Sequence, residues 1–339
     1  MNKNRTLIIA EIGPNHNGSL STAVKMIKKL AFSDVDVIKF QLGNPKSVYS
    51  DDAFKADYQK KNDHKKTILE MSKKFQLPKK SHKRLSNLCK NLGLKYACSA
   101  FDLKSLIYLD KVIKVPFFKI PSGEINSLDM LDYIAKKKKP ILLSTGMSTF
   151  VEIKKALQRL TRYGNKKITI LHCVSSYPAQ DINLNLNIIN ELSKKFKTKV
   201  GYSDHSVSDL ACIAAVAKGA SVIEKHVTLS KSQSGPDHKA SMTINGFKNL
   251  VKKIRKIETM LGSKTKKFSH DEINVKKMAR KSIVTNRFIK KGSRLKISDI
   301  TFKRPGIGIS PLDIKKFLGK KLLKDKQKNK VLFAKELKK

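Results

Sequence analysis

The chain has 339 residues, with 72 Lys plus Arg against 27 Asp plus Glu and a formal charge of +45. A hydrophobic content of 40% excludes an intrinsically disordered chain, and the length allows one large domain or two smaller ones, each with its own core. No apolar run reaches the roughly 18 to 20 residues of a membrane helix. The opening MNKNRTLIIAEIG, whose short apolar stretch runs into Glu11, does not read as a signal peptide.

Cys89, Cys98, Cys173 and Cys212 show no CxxC spacing, which suits a reducing, cytoplasmic setting. Nine of the basic residues are arginine and 63 are lysine. Nucleic-acid readers favour the bidentate fork of arginine, so the charge reads first as a lysine-rich surface, with no specific nucleic-acid partner. A polyanion-binding protein on an ordinary scaffold is the alternative from a different class. The field would also draw small anionic substrates to a cleft.

In chain order, eight short apolar runs each end in charged or hydroxyl residues. They are Leu7–Ala10 before Glu11, Val35–Ile38 before Lys39, Leu94–Cys98 before Ser99, and Pro116–Phe118 before Lys119. Then come Ile141–Leu143 before Ser144, Ile168–Leu171 before His172, Lys199–Tyr202 before Ser203, and Ser221–Glu224 before His226. Such runs read as buried parallel strands. The intervals have helical periodicity; Val24, Ile27, Leu30 and Ala31, for example, share one face. The second interval also holds a polar insertion, roughly residues 42–66. Eight strand–helix units predict an α/β fold, a (β/α)₈ TIM barrel spanning 1–262, with its chemistry at the C-terminal strand ends. The barrel closes with a helix over Gly246–Leu261. Residues 263–281 read as a weakly structured basic linker, and 282–339 as a small β-rich second domain.

His205 and His226 end adjacent strands, with Glu11, Asp204 and Asp237 on the same rim. That grouping suits a divalent metal such as Mn²⁺ with open coordination positions. Lys39 and Lys119 end two buried strands, where an ammonium is costly unless an anion meets it. Ser99, Ser122 and Ser144, with the Gly123 and Gly146 turns, add donors for a phosphate cradle. Glu124, the one carboxylate in that group, serves either as an acid–base group or as the partner of Lys119. Asn15 and His16 are polar contacts or turn-formers. Cys98 and Cys173 read as buried filler. No GxSxG, P-loop or GxGxxG motif is present.

The motifs AEIGPNHNGS, VIKFQ, FKIPSGE, LSTGM, LHCVSSYP, GYSDHS, EKHVTL and SGPDHKAS, in that order, resemble the sialic acid synthase (N-acetylneuraminate synthase) family. ARKSI and KRPGIGISP resemble that family's C-terminal antifreeze-like (SAF) domain. The resemblance covers nearly the whole chain. It implies a transferase condensing phosphoenolpyruvate with an N-acylated amino sugar, N-acetylmannosamine in the leading reading, to a nine-carbon 2-keto acid and phosphate. It also implies a divalent metal, typically Mn²⁺ with Mg²⁺ or Co²⁺ as alternatives, and a domain-swapped homodimer.

By the same resemblance, His205 and His226 match metal ligands, with Glu11 and Asp237 beside the metal and sugar. Lys39, Ser99, Lys119, Ser122, Ser144 and Ser203 match the phosphoenolpyruvate set, and Glu124 the carboxylate near the reacting carbons. Ser175 and Tyr177 fall where the sugar binds, and Arg304 matches an arginine inserted by the partner subunit. Departures from the family pattern cluster on sugar recognition: RPGIG at 304–308, CSAFD at 98–102, and NDHKKTILEM at 62–71. The alternative acceptors are those leading to N,N'-diacetyllegionaminate or pseudaminate; His172 in LHC leans away from the latter.

Overall fold

The computed structural model describes residues 5–64 and 67–338. The chain divides into two compact units, residues 1–262 and 263–339.

In the first unit eight parallel strands close on themselves: β1 Leu7–Glu11, β2 Val37–Leu42, β3 Lys95–Ala100, β4 Phe118–Ile120, β5 Ile141–Ser144, β6 Ile168–Cys173, β7 Lys199–Asp204 and β8 Val222–Thr228. They pair in sequence order, and β1 also pairs with β8. This is the expected (β/α)₈ barrel. Most strands run further than their apolar runs, so the polar residues that end the runs are part of the ladder. Lys39 pairs with Glu11 and Ala97, and His226 with Glu11.

The crossovers carry α1 Leu20–Leu30, then α2 Pro45–Val48, α3 Asp57–Asn62, α4 Ile68–Phe75 and α5 Lys79–Asn91 between β2 and β3. Helices α6 Leu103–Tyr108, α7 Leu128–Ala135, α8 Phe150–Thr161, α9 Ile188–Phe196, α10 Leu210–Ala217 and α11 Ile244–Leu261 complete the ring. In α1 the buried Ala23, Met26, Ile27 and Leu30 form one stripe against the barrel, with Lys28 and Lys29 in the last turn, where cations favour the helix dipole. Ser19 caps its first turn. The insertion is less polar than its composition implies. Ile68, Met71 and Phe75 of α4 bury a small cluster of their own, against which Tyr49 and Ala53 pack.

In the second unit, the stretch expected as a weakly structured linker holds a helix, α12 His270–Ala279. Its signal is a capping box that periodicity alone overlooks: Ser269 accepts from the Glu272 N–H while Glu272 reaches back to Ser269. No residue of α12 is buried, so it lacks the apolar stripe by which helices are read. A β-rich fold follows, in which β9 Ser282–Thr285 pairs antiparallel with β10 Ile300–Lys303 and β11 Lys321–Leu322 with β12 Leu337–Lys338. Ile283, Ile289, Leu295, Ile309, Leu322 and Leu332 belong to its separate core. No helix among the described residues is long and apolar enough to cross a membrane.

Candidate active site

Strand side chains alternate faces, so inward positions recur every second residue. The lowest inward layer is apolar: Ile9, Val37, Ala97, Phe117, Leu142, Leu171 and Val222 form one buried cluster, the floor of the barrel. Two residues further along the eight strands stand Glu11, Lys39, Ser99, Lys119, Ser144, Cys173, Ser203 and Glu224, all lining one cleft of about 380 Å³. Above them the same cleft reaches Gln41, Ser122, Ser175, Tyr177, His205, His226 and Asp237. One period-2 rule thus converts a floor into a chemical layer.

That layer holds two cations and two carboxylates, all buried. Lys39 Nζ lies 2.7 Å from Glu11 Oε2 and 3.7 Å from Glu224 Oε1, and donates to Ser99 Oγ at 3.1 Å. Lys119 Nζ is 3.2 Å from Glu224 Oε1, which also accepts from Ser203 Oγ at 3.1 Å. Gln41 Nε2 donates to Glu11 Oε1 at 2.8 Å. Burial pulls both ammoniums down, but Glu11 and Glu224 more than reverse this at Lys39 and hold its pKa above normal. At Lys119 burial wins: Glu224 opposes it, Lys39 adds to it, and the pKa falls. Ser144 Oγ is buried with no hydrogen-bond partner among the described residues, a donor left over for a ligand. Gly146 N–H donates to Ser122 Oγ at 3.0 Å, and a Cβ on Gly146 would stand 2.2 Å from Ser175 Oγ, so a side chain there would displace the serine hydroxyls that face the cleft.

The two imidazoles sit 5.4 Å apart, centroid to centroid. His205 Nδ1 donates to the Val174 carbonyl at 2.7 Å, which leaves Nε2 as the ring's lone-pair nitrogen. His226 Nδ1 is buried with no hydrogen-bond partner among the described residues, 3.7 Å from Asp237 Oδ2. Burial, backed by His205, drives His226 well below its normal pKa, toward the neutral form that metals bind. Burial also pushes Asp237 up to about 7. Among the described residues no three His, Cys, Asp or Glu side chains converge as a ready ligand set. The donor chemistry nonetheless fits a divalent ion: two imidazoles, one with an orphaned nitrogen, beside Asp237 and with Glu11 in the same cleft. Tyr177 packs on His205 at 4.1 Å, and Tyr58 of α3 stacks on Tyr177 at 5.0 Å, so the insertion supplies one wall of the cleft.

Several expected residues lie elsewhere. Asp204 is not in the cleft; its side chain leaves the opposite face of β7 and pairs with Lys225. Glu124 stands beside the cleft but not in its lining, where its carboxylate accepts from Ser127. The partner of Lys119 is Glu224, not Glu124. Asn15 is a brace, donating to the Val227 carbonyl and to Ser241 Oγ, whereas His16 accepts from the Gly18 N–H and also lines the cleft. Arg304 is exposed on the second unit. Cys173 lines the cleft with its Sγ 3.7 Å from His205 Nδ1, so it is more than filler. Residue-by-residue reading missed Glu224, Gln41 and Tyr58. The first two carry a usable signal, two residues after Val222 and two after Lys39.

The model of the NeuB family matches residues 26–266, and that of the SAF domain residues 280–338. The N,N'-diacetyllegionaminic acid synthase of Campylobacter jejuni is 44% identical over 319 residues, covering 93% of this chain and 95% of that one. Its namesake in Legionella pneumophila is 40% identical over 320 residues, covering 93% and 90%. The N-acetylneuraminic acid (sialic acid) synthetase of Leptospira borgpetersenii superposes with a TM-score of 0.73 at 30% identity, covering 80% of this chain and 90% of that one. With this layered cleft, barrel and small domain, the chain belongs to the NeuB (sialic acid synthase) family, an enzyme of the transferase class with a C-terminal SAF domain.

Proposed function

We propose that the protein condenses phosphoenolpyruvate with a diacetamido amino sugar, as an N,N'-diacetyllegionaminate synthase. The acceptor rests on the two relatives of that name, more similar to this chain than the sialic acid synthetase is. N-acetylneuraminate synthesis from N-acetylmannosamine is the second reading, supported by that sialic acid synthetase.

The observation that carries the reaction is the chemical layer itself. Lys119, matched by one carboxylate only, offers buried positive charge to a small trianion, with Lys39, Ser99, Ser144 and Ser203 beside it. Holding it still supplies positioning and electrostatic stabilisation. C3 of phosphoenolpyruvate forms a bond to the aldehyde carbon of the open-chain sugar, whose oxygen takes a proton. Water adds at C2, and the C2–O bond to phosphate breaks, giving the 2-keto acid and inorganic phosphate. His205 and His226, with Glu11 and Asp237 nearby, would hold a divalent ion, which when bound polarises the acceptor's carbonyl oxygen. Tyr177 and Ser175 would face the sugar.

The acceptor is tested by kcat/KM for diacetamido and monoacetamido sugars side by side, with product masses confirmed. A higher kcat/KM for the diacetamido sugar supports the proposal, and a preference for N-acetylmannosamine would replace it with the second reading.

A further inference from the structure

Behind the two histidines, on the outer face of β7 and β8, lies a buried ion pair that the cleft does not use. Asp204 is 0% exposed and Lys225 1%, and neither lines the cleft. Lys225 Nζ contacts Asp204 Oδ2 and donates to the Ser206 carbonyl at 2.8 Å. Asp204 Oδ1 accepts from the Ser206 N–H at 2.8 Å and from Tyr202 OH at 3.1 Å, while Cys212 Sγ donates to Oδ2 at 3.2 Å. The Asp204 carboxylate thus accepts four contacts, two on each oxygen, and Lys225 makes two.

Its place in the chain gives it a purpose. Asp204 immediately precedes His205 and Lys225 immediately precedes His226, and the two are register partners at the end of the β7–β8 ladder. Neighbouring strand residues point to opposite faces, so the pair faces outward while the imidazoles face inward. The peptide groups on both sides of Ser206, the residue after His205, are gripped, since its N–H donates to Asp204 and its carbonyl accepts from Lys225. A buried ion pair is weak evidence for stability, because apolar residues of like volume often replace it without loss. What it offers here is geometry: two strand ends tied at one point, with one histidine on each.

We propose that Asp204 and Lys225 are positioning residues that set the spacing of the two imidazoles, and with it the affinity of that site for a divalent cation. The inference rests on the reading of His205 and His226 as ligands given above.

The test uses the full chain, stripped of metal by chelation and titrated with Mn²⁺, the free ion being followed by its paramagnetic resonance. The double variant Asp204→Asn/Lys225→Met removes both charges together and keeps acceptors for Tyr202 and Ser206. It is expected to melt within a few degrees of the wild type and to bind Mn²⁺ about 10- to 100-fold more weakly, the range for partners that orient a metal ligand. A merely structural pair would move the melting temperature and leave the affinity alone. Tyr202→Phe keeps the ring and removes one hydrogen bond to Asp204; it is expected to weaken Mn²⁺ roughly two- to fivefold while the melting temperature falls by no more than about a few degrees. Should the double variant fail to fold, Tyr202→Phe decides, and unaltered affinity there overturns the inference. A wild type that binds Mn²⁺ beside a double variant that binds it equally well overturns the inference and leaves the ligand reading standing. A wild type that binds no Mn²⁺ overturns both.

Discussion

Replacing Lys119 and, separately, Lys39 with methionine should have opposite consequences, because the two ammoniums are compensated unequally. Lys39 meets two carboxylates, at 2.7 and 3.7 Å, and Ser99 at 3.1 Å. Its charge is already committed to the fold. Losing it leaves Glu11 and Glu224 as buried carboxylates with one cation between them, a loss of about 3–5 kcal/mol of stability. Lys119 meets one carboxylate, at 3.2 Å, which Lys39 and Ser203 continue to hold after the substitution. Its removal should cost the fold only about 2 kcal/mol. Lys119 is thus the cation freer to turn to an incoming anion. Losing a buried charge-assisted contact of that kind costs about 3 kcal/mol of binding, roughly 100-fold in affinity. Calorimetric titration of phosphoenolpyruvate and urea denaturation read the two quantities separately. Lys39→Met at wild-type stability, or Lys119→Met binding phosphoenolpyruvate within twofold of wild type, would refute this division of labour.

Gly201 faces the barrel floor, where a Cβ would stand 2.6 Å from Leu171 Cδ2 and 2.7 Å from the Val222 carbonyl oxygen, so Gly201→Ala should destabilise by about 1–3 kcal/mol in urea melts. A neutral denaturation midpoint would show that the floor can give. His82 is buried beside Tyr96 OH, and burial pushes its pKa down to about 4 against an ordinary 6.5. The native state resists the proton that the unfolded chain accepts, so stability is retained above pH 6.5 and falls by about 1.4 kcal/mol per unit as pH drops toward 4. His82→Gln should remove roughly 2 kcal/mol of the loss between pH 7 and pH 5; an unchanged pH slope counts against it. Arg304→Ala should raise the acceptor's KM and leave that of phosphoenolpyruvate nearly unchanged. If the arginine acts across a dimer, as the family resemblance implies, mixing Arg304→Ala with His205→Ala subunits restores one intact site, and subunits that exchange without recovering activity contradict it.

Much of this architecture is legible in the sequence because barrel strands are short, buried on both faces and ended by polar residues. The eight runs locate the eight strands, and seven of their polar ends line the cleft; His172 faces the other way, toward the Leu184 carbonyl, and Cys173 takes its place. The strands nevertheless extend past those ends, since an inward-facing Lys39 or Glu224 can stay in the ladder when an opposite charge meets it. Adjacency to His205 suggests the rim for Asp204, yet alternation sends adjacent residues to opposite faces. Glu224 escapes notice because it is counted as the last member of its apolar run, with His226 taken as the polar end that follows. Counting in twos from Ile9, Val37 and Val222 recovers it. Helix α12 was hidden for the reverse reason: it has caps but no buried stripe. Pairings such as Tyr58 on Tyr177 join residues far apart in the chain, and no local pattern announces them.

The central claim, that this layered cleft joins phosphoenolpyruvate to an N-acylated amino sugar, is tested most directly by following inorganic phosphate. With phosphoenolpyruvate, Mn²⁺ and a diacetamido hexose, the full chain should release phosphate in step with a nine-carbon 2-keto acid, and Lys119→Met should suppress both. Phosphoenolpyruvate left intact with every N-acylated hexosamine offered, or hydrolysed at the same rate without one, would contradict it.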